Sequence, residues 1–192
     1  MEFKISPEQM KSIVNYAYKN MPKLAYHNFA HVASVAKRAK ALARAEGIED
    51  YSVVQAAAFL HDIVYYIGNK DNEEKSAIEA NQLLKDIGVH AETITPILGM
   101  ILATKLPTVP RTALERIICD ADLDNLGRDD FLQKCELLRK EFGLRDVVSW
   151  YTSSLALLKG HQYYTQSARK DRTLGLERNI QQLTELVLDL PR

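Results

Sequence analysis

Three short clusters in this chain set histidines and carboxylates where they could share a divalent ion. Phe59-Leu60-His61-Asp62-Ile63-Val64-Tyr65 places an imidazole beside a carboxylate at the end of the apolar run Ala56–Leu60. Burying such a pair is costly unless something compensates it, and metal coordination is one compensation. His27 and His31 are four residues apart in Tyr26-His27-Asn28-Phe29-Ala30-His31-Val32, so on a helix they share a face. Ile118-Cys119-Asp120-Ala121-Asp122-Leu123-Asp124 alternates three acids at the end of an apolar stretch, poor core design unless a cation sits there. Each cluster alone has an ordinary explanation: a core histidine with a backbone partner, a solvated cap, a calcium-like loop. Together, two histidines and a carboxylate pair make a nitrogen and oxygen set suited to a divalent metal. No matching cysteine set points to structural zinc.

The elements that must position these groups read as helices throughout, with strand signals nearly absent. Ser6-Pro7 should open a helix that fades by Asn20, and a second should run from about Asn28 to Glu46 before Gly47. A third, capped by Asp50, is apolar nearly all round and is expected at the centre, running toward Gly68 with His61 and Asp62 riding on it. Asp71 opens a fourth that Gly88 closes. Others are expected over Glu92–Thr104, Arg111–Asp120, Asp129–Phe142, Asp146–Lys159 and about Thr173–Leu190, with Gly175 blurring the last start. No repeat, low-complexity tract or linker interrupts the chain. The expectation is one all-α domain over residues 1–192, a compact bundle of about eight or nine helices.

Bulk properties narrow the partners. A chain of 192 residues can bury a real core as one domain. Lys+Arg 25 against Asp+Glu 25 leaves no global electrostatic case for nucleic acid or an anionic membrane. The first residues lack a signal-peptide core, and no stretch approaches about 18 uninterrupted apolar residues. Cys119 and Cys135 fit no zinc spacing, and Cys119 reads as a small buried residue. A cytoplasmic protein with a small-molecule partner is expected, with no nucleic acid and no membrane; oligomeric state stays open, a homo-oligomer included.

His31, then His61-Asp62, then Asp122 resembles the H…HD…D signature of the HD superfamily of metal-dependent phosphohydrolases. Further matching runs are His27-Asn28, Asp71-Asn72-Glu73-Glu74-Lys75-Ser76-Ala77, Ala103-Thr104-Lys105, Asp120-Ala121-Asp122-Leu123, Leu126-Gly127, Tyr164-Thr165 and Glu177-Arg178-Asn179, so the likeness spans almost the whole chain. The narrower resemblance is to the bacterial group of predicted HD-superfamily phosphohydrolases. It implies an HD-type helical bundle with His31, His61, Asp62 and Asp122 as metal ligands. Asp120 competes for the last position; Asp122 is preferred because the family places its ligand just before the leucine. In the family the HD aspartate also touches a second ion when one is present. His27 matches the proton donor of the cyclic-nucleotide phosphodiesterase branch. Many HD nucleotidases carry a glutamate where this chain has Tyr65, and Glu73 or Glu74 is expected to supply that acid from the next helix. The extra histidines of two-iron HD enzymes are missing, so a single tightly held ion is expected.

Two imidazoles and two carboxylates leave coordination positions for water and a phosphoryl oxygen. A metal-bound hydroxide could then attack phosphorus while cations offset the developing charge. The ion could be Mn, Fe, Co, Ni, Zn or Mg. His27 is the candidate to protonate the leaving oxygen. Lys105 and Arg128 are the cations expected near the phosphate, against ordinary roles as a helix C-terminal charge and a surface residue. His90 should be solvated, His161 is a surface, packing or functional residue, and Tyr65 and Tyr66 line the pocket or pack. The expected catalytic set is His27, Asp62, Glu73, Glu74 and Lys105. The expected activity is hydrolysis of small phosphorylated substrates, nucleotides foremost. Alternatives are a cyclic-nucleotide phosphodiesterase, a di-iron oxygenase, and a non-catalytic metal-stabilised nucleotide-binding module.

Overall fold

Ser6 starts the first helix by a reciprocal cap: its hydroxyl accepts from the Gln9 amide while the Gln9 side chain accepts from the Ser6 amide. This helix, α1, spans Pro7–Asn20 in the computed structural model, which describes residues 3–190. Residues 1, 2, 191 and 192 of the expected domain lie outside the described residues. Asn28 caps α2 (Phe29–Ala45), its side-chain oxygen accepting from the amides of Ala30 and His31. There follow α3 (Ser52–Leu60), α4 (Asn72–Asp86), α5 (Ala91–Ala103), α6 (Ala113–Asp122), a 3-10 turn (Leu123–Gly127), α7 (Phe131–Glu141), α8 (Val147–Gly160) and α9 (Gln166–Asp189). Among the described residues there are nine α-helices and no strand, so the all-α expectation holds. No described helix is long and apolar enough to cross a membrane.

The core forms around α3, as its apolar circumference requires. Val54, Ala56, Ala57, Ala58 and Leu60 expose no surface, and α1, α2, α4, α5 and α6 pack around them. A fully buried Val or Leu side chain contributes on the order of 1.5–3 kcal/mol, so this short helix anchors its neighbours.

Three boundaries differ from expectation. The third helix stops at Leu60 rather than running toward Gly68, and His61 and Asp62 sit in the turn just beyond it. The chain is drawn off the helix axis there by α4. Ser76 Oγ accepts from the Val64 amide and donates to the Val64 carbonyl, both at 3.1 Å, while Asn72 bridges the Tyr66 amide and carbonyl at 2.9 and 3.0 Å. The sixth helix starts at Ala113, because Thr112 and Glu115 form a reciprocal cap, and it runs on to Asp122. The last helix starts at Gln166, capped by Thr165, and passes straight through Gly175. A Cβ at Gly175 would lie 2.0 Å from the Gly127 carbonyl oxygen, and one at Gly127 would lie 2.6 Å from the Arg172 carbonyl oxygen. Both glycines therefore let the 3-10 turn cross α9 backbone to backbone. Asn179 completes the joint by donating to the Leu126 and Arg128 carbonyls, each at 2.8 Å.

Candidate metal centre

Three helix ends converge on one point. His31 lies in the first turn of α2, His61 follows the last residue of α3, and Asp122 closes α6. Asp62, in the turn after α3, reaches the same place. The clamp that Asn72 and Ser76 place on Val64 and Tyr66 holds that turn.

The imidazole Nε2 atoms each face both carboxylates. His31 Nε2 lies 3.4 Å from Asp62 Oδ2 and 3.1 Å from Asp122 Oδ1; His61 Nε2 lies 3.1 and 3.3 Å from the same two oxygens. Donor atoms bonded to one ion at about 2.1 Å would stand about 3.0 Å apart at right angles and about 3.4 Å apart at tetrahedral angles. The observed spacings fall in that interval. The donor atoms of His31, His61 and Asp122 all lie within 4.8 Å of one another.

The tautomer of His61 gives a second test. Its Nδ1 lies 2.9 Å from the Ala58 carbonyl, so this nitrogen carries the proton and donates. Nε2 then presents a lone pair toward two carboxylate oxygens, and it is buried with no hydrogen-bond partner. Lone pair against lone pair is repulsive unless a proton or a metal cation stands between them. This is the orientation in which metal-binding histidines are held by a partner behind the ring.

The electrostatics agree. Burial opposes charge on His31 and His61, yet Asp62 and Asp122 outweigh it and raise both imidazoles, His61 well above its ordinary range. Burial works to raise Asp62 and Asp122, but the facing imidazoles hold both carboxyls below the ordinary range. The cluster stabilises added positive charge, which is what a divalent cation carries. The residues present therefore fit such an ion.

Asp120 is engaged elsewhere. Its Oδ1 accepts from the Tyr164 amide at 2.8 Å, and its Oδ2 accepts from the Thr165 amide and hydroxyl at 2.7 Å. It ties α6 to the start of α9, which leaves Asp122 as the aspartate facing the imidazoles. Asp124 is likewise a brace, held by Arg38 at 2.6 Å and Arg172 at 2.7 Å.

A cavity of about 370 Å³ opens over the cluster. His27, Tyr65, Glu73 and Asn125 line its polar side, while Leu106, Leu138, Phe142, Trp150 and Leu157 form an apolar wall. His27 stacks on Tyr65 with ring centroids 3.6 Å apart and an interplanar angle of 15°. Its Nδ1 lies 2.5 Å from Oε1 of Glu141, whose Oε2 accepts from the Tyr26 and His27 amides at 2.6 and 3.0 Å. The Glu141 side chain is fully enclosed. Burial alone would raise its carboxyl, but His27 and those amides hold it below the ordinary range. Sequence reasoning missed Glu141: it closes an ordinary amphipathic helix, 114 residues from its partner. In the sequence Asn72 and Ser76 stand out only within a matching run; their clamping role is a property of the fold.

The two expected glutamates part company. Glu73 lines the cavity, and burial raises its carboxyl. Glu74 turns away to pair with Lys105 at 2.5 Å, both side chains well exposed. The structure thus gathers His27, His31, Asp62, Asp122 and Glu73 on the cavity wall, with His61 beneath them. It leaves Glu74 and Lys105 as a surface pair outside the lining. Arg128 chelates Asp130 with contacts of 2.8 and 2.7 Å. No Lys or Arg is among the side chains lining this cavity. Tyr66 and His90 are exposed, and Cys119 is buried.

Comparison with solved structures finds similar folds, among them the following two. One is a Lactobacillus plantarum protein solved as a structural-genomics target, 18% identical, with a TM-score of 0.72 over 97% of this chain and 100% of that one. The other is Bacillus subtilis YpgQ in complex with ADP, 20% identical, with a TM-score of 0.68 over 96% of each chain. No curated protein matches the chain significantly. The family model described as HD domain matches residues 28–124, a stretch that runs from the Asn28 cap through His31, His61, Asp62 and Asp122. The chain belongs to the HD domain family.

Proposed function

We propose that this protein is a metal-dependent phosphohydrolase acting on small phosphate esters, nucleotides foremost. The observation that carries the reading is the set of four imidazole–carboxylate contacts of 3.1–3.4 Å at the floor of a substrate-sized cavity. The proposed ligands are His31, His61, Asp62 and Asp122. A bound divalent ion would acidify a coordinated water from pKa about 15.7 toward 7 and polarise a phosphoryl oxygen.

The chain's own groups do the rest. His27, with Nδ1 committed to Glu141, has Nε2 left to donate a proton to the leaving oxygen. Glu141 and the stacked Tyr65 ring fix the plane of the His27 imidazole. Glu73 lines the same cavity, and burial raises its carboxyl, which eases its approach to a phosphoryl oxygen. The leucines and aromatics of the opposite wall carry the organic part of the ester and exclude bulk water. With no Lys or Arg lining this cavity, a bound metal would be the positive charge facing a phosphate held there. The ADP complex of YpgQ supports a nucleotide as the organic part. A cyclic-nucleotide phosphodiesterase is a second reading, favoured by the Glu141-held His27, since an alkoxide leaving group needs a donor there.

The test is metal content of purified protein, then phosphate release from nucleoside mono-, di- and triphosphates and cyclic nucleotides. Metal-dependent turnover that disappears in Asp62→Ala is expected. Turnover that survives Asp62→Ala would overturn the site, and metal without turnover would favour a binding module.

A further inference from the structure

The candidate metal centre faces two spaces. Tyr26, His31, Asp122 and Asn125 line the large cavity, and the same four line a narrow cleft of about 40 Å³. The two spaces adjoin across these side chains but differ in charge. Among the described residues no Lys or Arg lines the cavity, whereas Arg38, Arg128 and Lys134 all line the cleft. One water-sized atom needs about 10–15 Å³ of such volume, so the cleft has room for about three. A phosphoryl group carries as many terminal oxygens.

The acids of the cleft are engaged. Asp124 is held by Arg38 at 2.6 Å and by Arg172 at 2.7 Å, and Asp122 faces the two imidazoles. Arg38 is engaged with them: it also pairs with Asp171 at 2.9 Å, and its Nη2 is enclosed, out of a ligand's reach. Arg128 is only half committed. Its Nε and Nη2 bond Asp130, while its Nη1 stands 3.9 Å from Asp124 Oδ2, too far for a hydrogen bond. Lys134 pairs with no carboxylate among the described residues, and its ammonium lies 6.0 Å from the centre of the Tyr26 ring. Unlike Arg38 Nη2, neither Arg128 Nη1 nor Lys134 Nζ is an enclosed atom. Tyr26 in turn packs on His31, with ring centroids 4.8 Å apart. Lys134 stands one turn before Leu138 on α7, so one helix face gives an ammonium to the cleft and an apolar group to the cavity. A half-buried ammonium without a counter-charge is costly, and a bound anion would relieve that cost.

We propose that the cleft is a phosphoryl-anion subsite, in which Lys134 Nζ and Arg128 Nη1 hold a tetrahedral oxyanion beside the candidate metal centre. That oxyanion is a second phosphoryl group of the substrate or the phosphate released from it. The assignment rests on the phosphohydrolase reading and extends it: the organic part of the ester lies in the apolar cavity and further anionic charge in the cleft.

The experiment measures binding of inorganic phosphate and pyrophosphate to manganese-loaded protein by isothermal titration calorimetry. The parent is compared with Lys134→Met and with Lys140→Met, whose lysine is exposed on the same helix and controls for the loss of one charge. Methionine is as good a helix former as lysine. Pyrophosphate affinity should fall about tenfold in Lys134→Met and less than about twofold in Lys140→Met. A parallel fall for phosphate assigns the cleft to the free product; a fall for pyrophosphate alone assigns it to a second phosphoryl group of the substrate. Either result supports the subsite. Unchanged affinity for both anions in Lys134→Met, or equal losses in the two variants, with melting curves like the parent's, would overturn it. Lys134→Gln replaces Lys134→Met if that variant does not fold. The readout is binding rather than turnover, so the subsite and the phosphohydrolase reading can fail separately.

Discussion

Glu141 holds His27 from behind, Oε1 to Nδ1 at 2.5 Å, as Ala58 holds His61 from behind through its carbonyl at 2.9 Å. In both, a partner on Nδ1 leaves Nε2 for the cavity side, but the partners differ in kind. The carboxylate sets a full negative charge against the His27 ring, whereas the carbonyl fixes the His61 ring in the orientation that a metal ligand needs.

Replacing Glu141 with Gln should separate these roles. Hydrolysis of alkyl phosphates, whose leaving oxygen must be protonated, is expected to fall about a hundredfold. Hydrolysis of p-nitrophenyl phosphate, with a stable anion as leaving group, should fall far less. Equal losses on both substrates would mean that Glu141 only holds the fold together.

Asp62→Ala should abolish bound metal, measured by elemental analysis, together with turnover. A ligand that binds only the folded state at a hundred times its Kd adds about 2.7 kcal/mol of stability. Manganese or zinc at that excess should raise the urea midpoint of the parent protein accordingly and leave that of Asp62→Ala unmoved. An equal rise in both would place the binding elsewhere.

His161 makes stability depend on pH. Its imidazole is held at about 4 in the fold by burial, against an ordinary value of 6.5. Between those values the unfolded chain binds more protons than the folded one, so stability is full above about 6.5 and declines as pH falls through 4. His161→Phe should flatten that part of a urea-midpoint-against-pH curve. Parallel curves for parent and variant would contradict the burial of this ring.

An alanine inside a helix is normally more stable than a glycine by about 1 kcal/mol. At position 175 the sign should reverse, because the added Cβ would meet the Gly127 carbonyl oxygen at 2.0 Å. Gly175→Ala is expected to destabilise by about 1–3 kcal/mol, the range for overpacking, read as a lowered denaturation midpoint. A raised midpoint would show that α9 and the 3-10 turn do not cross so closely.

What could be read from the chain alone was local. Helix starts depend on groups within a few residues, as with Ser6 and Gln9 or Asn28 and the amides it caps. The nearly all-apolar circumference of residues 53–60 marked α3 as the centre for the same reason: a period is a property of a short window. His31, His61, Asp62 and Asp122 were legible as a set through the ordered H…HD…D resemblance, although the sequence placed His61 and Asp62 on a helix that in fact ends at Leu60. Gly175 misled, since a helix-weakening residue reads as a start until its backbone neighbour Gly127 is known. Only tertiary packing paired His27 with Glu141, sent Glu73 to the cavity and Glu74 to Lys105, and brought Lys134 over the Tyr26 ring. Those pairings are set by how helices distant in sequence cross. A crossing depends on the sum of many side-chain contacts, which no short stretch of sequence contains.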